Sequence, residues 1–294
     1  MCKKRAKENI VGYSFIFLAL TLLLVFVVAP IFISLVLSFM KFNGFNEPSW
    51  VGLKNYIDMF KDKDFRVSMA NTLVFVLVTV PLQTILALIL AAILADKYRN
   101  PFGELIRGTM FVPVLCSASI AGTIFFYIFS SDSESVANLV MGMLGFPAVN
   151  WLGQRGTALA VVCIVNIWKN VGYFLVILYA GIMDVPKSLY EAARCDGATT
   201  IQQFFHVTLP SIKPILYLVI SLGTIWAFQT FDITYVMTRG GPGNATLSPV
   251  LIVYETAFST RKMGYACAVA CALSVLIFVV TILQRKLFNE KAGE

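Results

Sequence analysis

Val67-Ser-Met-Ala-Asn-Thr-Leu-Val-Phe-Val-Leu-Val-Thr-Val-Pro-Leu-Gln-Thr-Ile-Leu-Ala-Leu-Ile-Leu-Ala-Ala-Ile-Leu-Ala95 carries no charge from end to end. A helix needs about 20 apolar residues, at a 1.5 Å rise, to cross a hydrocarbon core about 30 Å thick. The stretch exceeds that length, so it is predicted to span a membrane, with surplus that permits tilt. Five further stretches read the same way, and together they predict spans over 10–40, 67–95, 108–131, 156–183, 214–238 and 263–284. Two of them are interrupted, by Lys169 and by Asp232. The fold class expected is therefore all-α: a polytopic membrane protein with six transmembrane helices between a cytoplasmic N-terminus, 1–8, and a cytoplasmic C-terminus, 285–294.

Composition agrees. Of 294 residues, 58% are hydrophobic and 13% charged, with mean hydropathy +0.79, about half the charge that covers a soluble surface. The balance of 23 Lys+Arg against 16 Asp+Glu gives +7, which reports loop charges that fix orientation, not a nucleic-acid partner. Lys3, Lys4, Arg5 and Lys7 precede the first span and argue for a cytoplasmic N-terminus. The run behind them is too long for a signal-peptide h-region and has no small-x-small cleavage site. Residues 135–154 are also free of charge, yet Asn138, Gly142, Gly145, Pro147, Asn150 and Gln154 break the run. A short interfacial helix and turn is expected there; a seventh span would invert everything after it. Cys2, Cys116, Cys163, Cys195, Cys267 and Cys271 show no CxxC pair and no metal spacing; Cys267 and Cys271, one helical turn apart in an apolar run, read as small buried residues.

Between the fourth and fifth spans, the loop 184–212 is built like a folded unit. Ser188 with Glu191 has the spacing of a capping box, and Gly197 stands where a left-handed residue ends a helix. Thr200 with Gln203 offers a second box ahead of Ile201–Val207, and Pro210 and Pro214 bound the piece. Ile201, Phe204, Phe205 and Val207 give this second helix an apolar face too large for an exposed loop. That face either folds under the membrane domain or docks into a partner.

Glu191-Ala192-Ala193, then Gly197, then Leu209-Pro210 resembles the EAA loop of the permease subunits of binding-protein-dependent ABC importers. That pattern is EAA, three residues, Gly, nine residues, Ile, one residue, Leu-Pro; Val207 stands where the family usually has Ile. Thr238-Arg239-Gly240-Gly241-Pro242-Gly243, Gly52-Leu53-Lys54-Asn55-Tyr56 and Asn71-Thr72 are similar to tracts of carbohydrate-type members, which import maltose, other oligosaccharides or glycerol phosphate. The resemblance implies a type I importer fold in a bacterial or archaeal cell membrane. It implies a second permease subunit as heterodimer partner, two copies of a cytoplasmic ATPase that hold ATP and magnesium, and an extracytoplasmic solute-binding protein. No cofactor is expected on this chain. Glu191, Ala192, Ala193, Gly197, Ile201, Phe204, Leu209 and Pro210 would couple it to the ATPase, with Gly197→Asp expected to uncouple transport. Gly240-Gly241-Pro242-Gly243-Asn244 lacks the lysine of a phosphate-binding loop, and is expected to pack against the binding protein.

Charges inside spans need a reason, because translocon scales put roughly 2.5–3.5 kcal/mol on each at mid-membrane. Asn166, Trp168, Lys169 and Tyr173 on one span, with Trp226, Gln229, Asp232 and Tyr235 on the next, combine aromatic faces with amides and charges. Sugars present C–H faces for stacking and hydroxyls for hydrogen bonding, so the set is a candidate substrate path. The alternative is that Lys169 and Asp232 snorkel, or pair with each other or with a partner. An enzyme is disfavoured: His206 is the one histidine and no metal-ligand or nucleophile arrangement accompanies it. The rival function is a stand-alone secondary carrier of a small polar solute, which would need no ATPase.

Overall fold

Along Lys63–Lys97 the polar side chains of the span sit on the buried face, among apolar ones. Ser68, Thr72, Thr79, Gln83 and Thr84 are buried, while Leu77, Leu82, Ile85 and Ile89 are exposed. The distribution follows from the solvent: a bilayer rewards outward leucines, and inside it Ser68 and Thr79 return their hydroxyls to the Phe65 and Phe75 carbonyls of the same helix. The computed structural model describes residue 13, residues 16–98 and residues 100–290, with residues 289 and 290 as backbone alone.

Two units divide the chain. The first takes residues up to Asp62 and Val253–Ala272. It holds α1 (Ile16–Leu37), a two-stranded ribbon β1 (Met40–Lys41) and β2 (Ser49–Trp50), α2 (Lys54–Lys61), and the start of α13 (Met263–Glu290). Asn55 Nδ2 donates to the carbonyls of Ser38 and Met40 at 2.8 and 2.9 Å, and the Tyr56 hydroxyl meets Ser38 Oγ at 2.7 Å. The Gly52–Tyr56 tract thus pins the end of α1. The ribbon is an addition to the expected all-helical class, fixed by the register Met40 to Trp50.

The second unit takes Lys63–Ile252 and the rest of α13. In order it has α3 (Lys63–Lys97), α4 (Pro101–Leu115), α5 (Ala118–Ile128), α6 (Val136–Met143), α7 (Arg155–Met183), α8 (Lys187–Cys195), α9 (Thr200–Gln203), α10 (Lys213–Phe228), α11 (Asp232–Met237) and the start of α12 (Pro249–Tyr254). Among the described residues five helices are long and apolar enough to cross a membrane, or six if the bent pair α4–α5 is one span. Helix α7 packs along α3, where Ala87, Ala91 and Ala95 put a small side chain at each turn and let it approach. One core gathers Phe75, Val161, Val165 and Phe228; the other gathers Ala91, Phe174, Leu178 and Ile212.

The stretch 108–131, read as one span, is two helices meeting at 95°. Pro113 removes an N–H from the last turn of α4, and Cys116 and Ser117 are extended, with ψ 138° and 137°. Residues 135–154 hold only α6, about 12 Å long, too short to cross. Its turn closes on Asn138, which donates to the carbonyls of Asp132 and Val149 and accepts from Val149 N–H and the Trp151 indole.

Candidate functional site

The loop 184–212 folds as a locked helical pair. Helix α8 starts at Lys187, two residues earlier than expected, because Pro186 takes the N-cap with φ −57° and ψ 129°. Ser188 therefore lies inside the first turn, and the expected capping box with Glu191 does not form. Glu191 is exposed, with no ion-pair partner among the described residues.

Gly197 does what the sequence predicts. Its φ is +77°, its N–H returns to the Arg194 carbonyl at 3.0 Å, and Ala198 N–H returns to Ala193 at 2.9 Å. These are the two bonds of a Schellman turn. A Cβ on Gly197 would meet nothing within 4 Å, so glycine is needed for its conformation, not for space.

The second box exists one residue early, at Thr199 and Gln202. Gln202 N–H reaches Thr199 Oγ1 at 3.4 Å, and Thr199 N–H reaches Gln202 Oε1 at 2.8 Å. Gln203, freed from capping, is buried and donates to the Ala198 carbonyl at 2.9 Å. Beyond it Phe204–Thr208 widens into a π-helical turn, with Leu209 N–H bonded to Phe204 O. Pro210 has no N–H to return to His206, which is why the ladder opens here. The Tyr190 hydroxyl meets Thr208 Oγ1 at 3.0 Å and ties α8 to this turn.

The expected apolar face divides. Val207 packs inward against the core of Ala91, Phe174 and Leu178, and Phe204 and Leu209 are half-buried. Ile201 and Phe205 face out, 71% and 57% exposed, with Pro210 and Ala192 exposed and Ala193 half-buried. Beside them a groove of about 630 Å³ opens between the end of α3 and this pair, lined by Ile93, Lys97, Lys187, Arg194 and Phe204.

The candidate path residues separate into groups. Asn166, Lys169, Asn170 and Tyr173 share a face of α7, with Asn170 Nδ2 bonded to Asn166 Oδ1 at 3.1 Å. Tyr173 and Trp226 meet at 5.0 Å between ring centroids, and Gln229 lies a turn beyond Trp226, exposed. Trp168 turns away, edge-on to Phe125 of α5 at 4.8 Å. Tyr235 stacks on Phe231 at 5.2 Å, and Asp232 is the exposed first residue of α11, where a helix N-terminus favours an acid. No ion pair joins Lys169 and Asp232 among the described residues.

Lys169 Nζ donates instead to the carbonyls of Val114 and Cys116, at 3.3 and 2.9 Å. Its neighbour in the same helix, Gly172, makes the approach of α4 possible: a Cβ there would stand 1.8 Å from the Met110 carbonyl oxygen. An isolated glycine inside an apolar helix was the available signal.

The tract after α11 is built inward. Thr238 and Thr246 hydroxyls meet at 2.6 Å, Asn71 Nδ2 donates to the carbonyls of Asn244 and Leu247, and Asn244 Nδ2 reaches Asp64 Oδ1 at 2.7 Å. Gly240 and Ala245–Ser248 are buried against this chain, and Gly243 is the exposed tip.

The family described as "Binding-protein-dependent transport system inner membrane component" matches residues 65–290. The arabinooligosaccharides transport system permease protein AraP of Bacillus subtilis is 34% identical over 92% of this chain and 86% of its own length. The trehalose/maltose transport system permease protein MalF of Thermococcus litoralis is 34% identical over 97% and 95%. Among solved structures, a chain of a bacterial ABC transporter involved in the import of the acidic polysaccharide alginate superposes with TM-score 0.85, at 20% identity, over 98% of both chains. The chain thus belongs to the binding-protein-dependent transport system inner membrane components, as a helical, multi-pass permease subunit of the ABC-importer type.

Proposed function

We propose that this chain is the permease subunit of an ATP-driven importer of a sugar or oligosaccharide. It pairs with a second, related permease and lines half of the translocation path. Two copies of a cytoplasmic ATPase, carrying ATP and magnesium, bind below the permease pair, one of them on the 184–212 loop, and a solute-binding protein delivers substrate outside. Both termini are cytoplasmic in this arrangement.

The observation that carries the reading is the loop itself. A helix, a Schellman turn and a second capped helix are cross-linked by Tyr190 to Thr208, so a push on one end moves the whole. It leaves Glu191, Ile201 and Phe205 outward, an acid beside an apolar patch, the composition of a docking surface. Sugar as substrate is supported by the two relatives named for arabino-oligosaccharides and for trehalose and maltose, and by an alginate importer solved with a pentasaccharide-bound periplasmic protein.

Within the membrane, Tyr173, Trp226, Asn166 and Gln229 are the residues proposed to meet substrate. Their rings offer stacking faces and their amides both donors and acceptors. Trp226→Ala and Gln229→Ala are expected to lower uptake about tenfold, the loss of one good contact, with assembly on the ATPase unchanged. Unaltered uptake in both variants would remove these residues from the path.

A further inference from the structure

We propose that Lys169 is a positioning residue that holds the break between α4 and α5 and links it to the coupling loop. The proposal deepens the transport reading above and rests on it.

The last carbonyls of a helix have no partner within it, and inside a bilayer there is little water to supply one. Helix α4 ends without a glycine turn: Cys116 is extended, and its N–H satisfies only Pro113, at 3.3 Å. The Lys169 amine supplies donors to Val114 and Cys116 from across the helix pair. It is a cation at a helix C-terminus, where the aligned peptide dipoles favour one. Gly172, one turn along α7, brings the two backbones close enough for that reach. The cost of a charge in the span is thus met by carbonyls that would otherwise be stranded.

Placement gives this clamp a role. From Lys169 the same helix runs on for about 21 Å to Met183, four residues before α8 of the coupling loop begins. On the other side, α5 packs against α11, where Gly122 lies against Val236. A movement of α7 driven from the loop therefore carries the break with it, and through α5 reaches α11. Lys169 acts through the backbone of α4 and not on substrate.

The test uses the complete transporter in liposomes, with uptake measured against substrate concentration for Lys169→Met, Lys169→Gln and Lys169→Arg. Met removes the donors; Gln and Arg keep at least two. Maximal uptake is expected to fall about tenfold or more in Met, less in Gln, and to return to within about threefold of wild type in Arg, with KM constant within about twofold throughout. A KM that rises in Met at unchanged maximal rate would make Lys169 a substrate contact and overturn the proposal. Equal uptake in all three variants overturns it as well. If the Met variant does not assemble, Gln and Arg decide: uptake abolished in Gln and kept in Arg shows that charge, not hydrogen bonding to the break, is required. Sugar uptake by the wild type in the same liposomes tests the transport reading separately.

Discussion

Gly172→Ala is expected to be the most damaging single methyl in the second unit. The added carbon would stand 1.8 Å from the Met110 carbonyl oxygen, 2.6 Å from its carbon and 3.2 Å from Phe111 Cα. All three are backbone, so no rotamer change relieves them. Ordinary contacts lie near roughly 3.5 Å, so α4 and α7 must separate by about 1.5 Å. Overpacking of this kind costs about 1–3 kcal/mol or more, and here it also draws the Lys169 amine from its carbonyls. The measurement is the thermal midpoint and the assembled fraction of the purified complex. Gly108→Ala on α4 and Gly156→Ala on α7 are the controls, because a Cβ at either meets nothing within 4 Å. They should be neutral or gain about 0.5–1 kcal/mol from helix propensity. Equal behaviour of all three variants would refute the close approach.

Ile201→Glu has the opposite signature, with stability kept and function lost. Ile201 is 71% exposed, and surface substitutions of this kind usually shift stability by less than about 0.5 kcal/mol. In a docked interface the same change buries an unpaired carboxylate, which costs about 3–5 kcal/mol. Binding of the ATPase is expected to weaken about 100-fold or more, and uptake to fall with it. Co-purification of the ATPase with the variant, alongside its melting curve, checks both halves. Wild-type retention of the ATPase would mean that the outward face of α9 does not dock.

What could be read from the chain divides by the range of the interaction. Charge-free runs announce helices because the bilayer imposes their length, and Gly197 announces a turn because φ +77° is a local demand. Caps were legible only to within one or two residues. Thr199 and Thr200 are both competent, and Thr199 is the one that takes extended geometry ahead of the helix. The box at Ser188 failed for a similar reason, since Pro186 had already set the N-terminus.

The break in 108–131 is a different matter. Pro113 hints at it, but what satisfies the opened carbonyls is a lysine 53 residues on from Cys116. Lys169 was legible as costly and not as a cap, because its partners are main-chain atoms of another helix. The glycine tract 240–244 likewise reads as an external loop, while the residues that anchor it, Asp64 and Asn71, lie 180 and 173 residues from Asn244.

On the transport reading proposed above, this permease admits a sugar only when its 184–212 loop is engaged by an ATPase. The direct measurement is ATP hydrolysis by the full complex in liposomes, with and without sugar-loaded binding protein, for wild type and for Glu191→Ala combined with Phe205→Ala. Sugar-stimulated hydrolysis is expected in the wild type and loss of that stimulation in the double variant, with the permease still inserted and folded. Full stimulation in the double variant, or uptake that proceeds without any ATPase, would refute that dependence.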